Sequence, residues 1–153
     1  MTNIVYQVKG IDRVKKALNR IRAKVKNLKG AWPQIRDEFY RIEQKRFDSQ
    51  NKGRWKPLSP RYASWKEANH PGKPIMVLTG DLKRTLTSLT SGSIYNPTPN
   101  SLTLGTSKKY ALTHQHGRGK IPARPLIALI SSDLNRFKTI MKSYLNTVIG
   151  KNR

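Results

Sequence analysis

From Ile11 onward the apolar residues fall at Ile11, Val14, Leu18, Ile21, Val25 and Leu28, a spacing that places them on one narrow stripe of an α-helix. Gly30 interrupts the pattern. It resumes at Trp32, Ile35, Phe39 and Ile42, with Pro33 where the first turn of a second helix tolerates a missing amide. The opening of the chain is therefore expected to form two long helices, or one bent helix. Off the stripe stand Arg13, Lys15, Lys16, Arg20, Arg22, Lys24 and Lys26. Three like-charge pairs one turn apart, Lys16–Arg20, Arg20–Lys24 and Arg22–Lys26, each cost about 0.2–0.5 kcal/mol in an isolated helix. Burying one leucine of the stripe, at about 1.5–3 kcal/mol, offsets them. The face of Lys15, Lys16, Arg20 and Lys24 thus reads equally as a solvated surface or as one that meets DNA or another anionic partner.

The same imbalance runs through the whole chain, in which 31 Lys and Arg face eight acidic residues for a formal charge of +23. Self-repulsion on that scale favours nucleic acid, an acidic protein surface or anionic lipid as partner. Membrane is the weakest of these, because no apolar run approaches the roughly 20 residues a span needs. The start, MTNIVYQVKG, lacks the apolar centre of a signal peptide, so cytoplasmic synthesis is expected. Hydrophobic residues make up 36%, with three Trp, six Tyr and three Phe, enough for one modest core, and a single domain over residues 1–153 is expected. Cysteine is absent, which excludes disulfides and thiolate metal sites.

Residues 3–8 (NIVYQV) read as a short strand ended by Gly10. Residues 48–74 are rich in Gly, Pro, Asn and Ser and read as an extended arm or loop. Within it Ser59-Pro60 marks a helix start, with the Ser59 hydroxyl as cap, and His70-Pro71-Gly72 marks its stop. Trp55, Leu58, Tyr62 and Trp65 are the candidate anchors of this arm. Thr79-Gly80-Asp81 offers a turn and cap before a short helical stretch through Leu86. Thr87 to Tyr95 and Ser101 to Thr106 are β-prone, and the intervening NPTPN predicts a hairpin with an exposed tip. Ile121 to Ile130 is apolar, but Pro122 and Pro125 make its beginning a fixed extended segment rather than a central strand. Ser131-Ser132-Asp133 caps a final helix whose one face carries Leu134, Phe137, Ile140, Met141, Tyr144, Leu145 and Val148. The fold class is α+β: long N-terminal helices and a C-terminal helix packed on a small, mostly antiparallel β-sheet, with the extended loop arm.

No catalytic constellation emerges. A nucleophile–His–acid set needs a carboxylate to orient His114 or His116, and the acidic residues sit beside cations or at helix starts, as Asp81 and Asp133 do. His114 and His116 would share a face if the segment were extended, yet a zinc site needs further ligands, and only His70 and scattered carboxylates remain. The run GRGK at Gly117 to Lys120 lacks the frame of a phosphate-binding loop. The expectation is no enzyme, no metal, no cofactor and no small-molecule substrate. Basic residues interleaved with aromatics over 52–66 leave a sequence-independent nucleic-acid-binding protein as the alternative.

Four segments taken in order, GRWKPLSPRYASWK, GKPIMVLTGDLKRTLT, YALTHQHG and IPARPLIALISSD, resemble the phage virion-morphogenesis family, the tail-completion proteins of tailed bacteriophages, over roughly residues 37–140. The N-terminal helices are similar to the opening of the small head–tail connector and tail-terminator proteins. The resemblance implies a structural protein of the virion, at the head–tail junction or tail end. It implies a homo-oligomeric ring, a hexamer being one admissible closure, with other phage tail and neck proteins as partners and non-specific contact with packaged DNA as a use for the basic surface. In that setting Trp55, Leu58, Tyr62, Trp65 and Tyr95 are the interface candidates. Tyr110, His114, Gln115, Gly117, Pro122, Arg124 and Pro125 are then architectural: a short ordered turn, a flexible glycine pair, and a rigid proline segment launching a last strand and helix. Arg124, its direction restricted by the nearby prolines, is expected to lock the turn to a neighbouring carbonyl or carboxylate.

Overall fold

The structure, a computed structural model, describes residues 11–150, so the strand expected over 3–8 lies outside the described residues. Helix α1 spans Ile11–Val25, and a single 3₁₀ turn, Lys29–Ala31, leads directly into α2, Trp32–Asp48. The helical path breaks over residues 26–28, and Gly30 sits inside the 3₁₀ turn, where a Cβ would lie 2.8 Å from the Tyr144 hydroxyl oxygen. Pro33 sits in the first turn of α2, as its missing amide requires. The arm contains α3, Pro60–Asn69. It is followed by α4, Asp81–Thr87, strands β1, Ser93–Pro97, and β2, Leu102–Thr106, then α5, Tyr110–His116, and α6, Ser131–Gly150. Helix α2 packs on α4 and α6, α1 packs on α6, and α4 packs on the hairpin.

The α+β expectation holds, with a sheet of two antiparallel strands in the register Ser93–Thr106 to Pro97–Leu102. Its tip is not free-standing. Trp32 Nε1 donates to the Thr98 carbonyl at 2.7 Å and the Leu28 amide donates to the Pro99 carbonyl at 2.7 Å, which pins the hairpin to the α1–α2 junction.

Three expectations are corrected. The β-prone stretch before Ser93 is the end of α4 and a turn, because its hydroxyls satisfy the local backbone: Ser88 Oγ donates to the Arg84 carbonyl and Ser93 Oγ to the Ser88 carbonyl, both within 2.9 Å. Residues 110–116 form a helix rather than a turn. The apolar run 121–130 contains no strand; an isolated bridge joins Arg118 and Ile121, and beyond it the backbone pairs mainly with side chains, apart from contacts such as the Arg124 amide on the His114 carbonyl. Ser59 does occupy the position before α3, but its hydroxyl caps no amide; Pro60, next in line, already presents none. Asp133 does act at the start of α6: its Oδ2 accepts the Ile130 amide at 3.1 Å, half of a capping box.

The core gathers Phe39 and Phe47 from α2, Leu82 and Leu86 from α4, Ala111 from α5, and Trp55 and Leu126 from the irregular segments. Phe47, Leu86 and Leu126 are essentially sealed from water, each worth about 1.5–3 kcal/mol of burial. Beside them lies a wholly buried carboxyl, Glu43. Its Oε2 is 3.3 Å from Arg46 Nε, an ion-pair distance without hydrogen-bond alignment, and both its oxygens lack a bonded donor. Burial pushes Glu43 up to about 7, against the opposing pull of Arg46 and with a further push from Asp133.

The folded state therefore binds a proton that the unfolded chain, with its ordinary carboxyl, releases near pH 4.5, and stability falls as pH rises from there through about 7. Glu43→Gln fixes the neutral form. Denaturant unfolding across that window should lose the downward contribution of Glu43 in the variant, leaving the rise that the lowered His114 contributes, with a gain over the parent of up to about 3 kcal/mol near pH 8.

Candidate functional site

The stretch YALTHQHGRGKIPARP folds back on itself. Helix α5 ends at Gly117, whose φ of +78° and tight surroundings both demand glycine: a Cβ would meet the Ala123 amide nitrogen at 2.8 Å. Residues 118–121 then turn through reciprocal 2.9 Å bonds between Arg118 and Ile121, and the chain returns beside α5 with the Arg124 amide donating to the His114 carbonyl at 2.7 Å. Gln115 does the work of a missing strand. Its Oε1 accepts the Leu126 and Ile127 amides at 2.7 and 3.0 Å, and its Nε2 donates to the Ile127 carbonyl at 2.9 Å.

This hairpin is tied to the arm by two further side chains. Arg124, 4% exposed, donates from Nε to the Lys56 carbonyl at 2.6 Å and from Nη2 to the Pro57 carbonyl at 2.7 Å. Trp55 Nε1 donates back to the Pro125 carbonyl at 2.9 Å, while its ring meets Phe47 edge-on at 5.3 Å. The first, third and fourth of the recognised segments are thus held in one clasp.

Between the clasp and the arm lies a surface groove of about 830 Å³, walled by Leu58, Met76, Leu78, Tyr110, Ile121 and Pro122 among others. Lys66, 5% exposed, lines it and donates from Nζ to the Pro74 carbonyl at 2.6 Å. Burial holds Lys66 below the usual lysine range, with Glu67 opposing weakly. Burial also lowers Arg124, and it lowers His114 with help from the Arg124 charge. The His114 Nδ1 has no hydrogen-bond partner, and its ring meets Tyr110 edge-on at 6.2 Å. On a helix, His114 and His116 point well apart, since residues two apart lie on different faces, and His116 is exposed. Among the described residues no group of three or more His, Cys, Asp or Glu side chains is placed to hold a metal ion.

The interface candidates separate. Trp55 is core. Leu58 is half-buried in the groove wall. Tyr62 and Trp65, expected to anchor the arm, instead face solvent at 41% and 45% exposure and stack on each other at 5.4 Å; Lys66 takes the inward side of α3. Tyr95 is half-buried under the Arg36 guanidinium, which sits 5.4 Å from its ring centre. Lys15, Lys16 and Arg20 are exposed on α1, which also carries Lys24, and the stripe that was to offset their repulsion leaves Leu18 and Val25 exposed. Pro122 and Pro125 are half-buried in the returning, irregular segment of the clasp. What sequence reasoning missed is Lys66: a lysine in a basic, loop-rich tract carries no sign that it will be buried.

If the clasp is structural, Gln115→Ala leaves two amides and a carbonyl without partners, and the unfolding free energy should drop by about 3 kcal/mol. His116→Ala, at the exposed position just before Gly117, should stay within about 0.5 kcal/mol of the parent in the same denaturant titration.

No curated protein and no solved structure matches the chain. The sequence does match the phage virion morphogenesis family over residues 10–146, taking in all four recognised segments and also the basic helix α1 and α2. With nearly the whole chain covered, and with three of the four segments closed into one clasp, the protein belongs to the phage virion morphogenesis family.

Proposed function

We propose that this bacteriophage structural protein completes or terminates the tail and joins it to the head, acting as a homo-oligomeric ring at the neck. Family membership supports an assembly role in the virion. The observation that carries the finer reading is the stacked, solvent-facing Tyr62–Trp65 pair on the arm helix. Large aromatics held in fixed geometry on a projecting element are the side chains that anchor protein interfaces. The apolar stripe of α1, incompletely covered at Leu18 and Val25, offers a second contact. Contacts of this kind between unlike faces of identical copies close into a ring when the rotation allows. Neighbouring tail and neck proteins complete the joint, and the basic face of α1 meets either their acidic patches or the DNA that passes through.

Sedimentation and native mass measurement should find a closed oligomer that Tyr62→Ser with Trp65→Ser converts to monomer while far-ultraviolet circular dichroism is unchanged. A monomer in the parent chain at all concentrations defeats the ring. A monomer with steeply salt-dependent DNA affinity favours the nucleic-acid-binding alternative. Replacing Lys15, Lys16, Arg20 and Lys24 together by Gln should lower the yield of complete particles with the fold intact; unchanged yield makes that face merely solvated.

A further inference from the structure

Two cations in the groove stand out because both are more than nine-tenths buried and neither is ion-paired with a carboxylate; Glu67, next to Lys66 on α3, opposes its lowering only through space. Lys66 and Arg124 are 5% and 4% exposed, and every bond recorded for their side chains runs to a main-chain carbonyl. Carbonyl dipoles satisfy donors without cancelling charge. Buried charges are normally paired, and a low-dielectric site amplifies both the cost of leaving them bare and the gain when an anion arrives. Each side chain also keeps donors beyond those in use. Asp81, the acidic residue in the groove lining, is already committed to Arg84.

Most of the remaining lining is apolar, with Ser59, Thr79, His114 and Lys120 among its polar members. Tyr110 and Ile121 at its edge are 47% and 43% exposed, so their apolar surface is left in water in the isolated chain. At about 830 Å³ the groove falls within the roughly 300–1,000 Å³ span of ligand sites.

We propose that the groove binds an acidic, otherwise apolar peptide segment of a partner protein, whose carboxylates neutralise Lys66 and Arg124. A second copy of this chain is a poor source of that carboxylate. Asp37, Glu38, Glu43, Asp48 and Asp81 face cations of their own chain and Asp133 accepts the Ile130 amide, which leaves Glu67 among the acidic residues from Asp37 onward. Glu67 follows Lys66 on the same helix and belongs to the chain's own surroundings of that cation. The complementary charge must come from outside. The groove shares Tyr62 with the proposed ring contact, and the peptide assay reads the groove separately from the oligomer.

The test is fluorescence anisotropy with a labelled, end-blocked Leu-Glu-Leu-Glu-Leu-Glu peptide and its Leu-Gln-Leu-Gln-Leu-Gln counterpart. Salt is set at about 0.15 M, where exposed charges are screened beyond ~8 Å. The Glu peptide should bind about tenfold tighter or better. Lys66→Met should abolish that preference. Ile121→Asp, at an exposed and tolerant edge position, should weaken the Glu peptide similarly even if Lys66→Met fails to fold. Lys45→Gln, exposed on α2 and outside the groove, should change nothing. Equal binding of the two peptides overturns the proposal, as does an undiminished preference in Ile121→Asp or a loss in Lys45→Gln as large as in Lys66→Met. Dodecanoate binding in place of the peptide would overturn the peptide class and identify a small carboxylate ligand instead.

Discussion

The apolar segment 121–130 enters the core through Leu126 with no neighbouring strand, and its main-chain polar groups must find partners or forfeit that burial. Side chains from four other parts of the chain supply them. Gln115 takes the amides of Leu126 and Ile127 and the carbonyl of Ile127, Trp55 takes the carbonyl of Pro125, and Arg46 Nη2 takes the carbonyl of Ala128 at 2.6 Å. Asp133 receives the amide of Ile130. Each bond is modest in net terms, about 0.5–1.5 kcal/mol, but leaving a buried group unmet costs about 1–3 kcal/mol. The set therefore acts as a condition on the fold more than as a sum of gains.

Meeting that condition determines where the arm lies. Arg124, fixed between Pro122 and Pro125, reaches the carbonyls of Lys56 and Pro57, so the same segment that completes the core also fastens the start of the arm. One wall of the groove is the arm and the opposite wall is the clasp. Its buried positive charges follow from using cationic side chains as carbonyl partners, and α2 shows the related case in Arg46, which holds Glu43 and the Ala128 carbonyl together. Helix α3, held at Lys66 and otherwise turned outward, presents its aromatic pair to solvent.

The regular helices were legible because their apolar spacing is local: α1, α2, α3 and α6 lie where the period and the prolines place them. The hairpin was legible from its turn residues. Helix α5 was not, since seven residues with no sustained period depend on Gly117 to end them and on Gln115 bonding across the clasp. The run 121–130 looked like a strand for a sound reason, its composition, and is not one because its partners are side chains, which no single-segment pattern reveals. The stretch before Ser93 misled through the β-propensity of Ser and Thr, whose hydroxyls here close a turn instead. Arg124's role was visible because its neighbouring prolines restrict its backbone; the burial of Lys66 depends on how the arm folds over Pro74 and had no local signal.

Amide hydrogen exchange read residue by residue tests most directly whether side-chain pairing holds the segment in the core. The amides of Leu126 and Ile127, bonded only to Gln115 Oε1, should exchange as slowly as those of the buried part of α2 around Phe47, through global unfolding. Exchange of these two amides at the fast rate of the exposed turn at Gly119, while α2 stays protected, would contradict it.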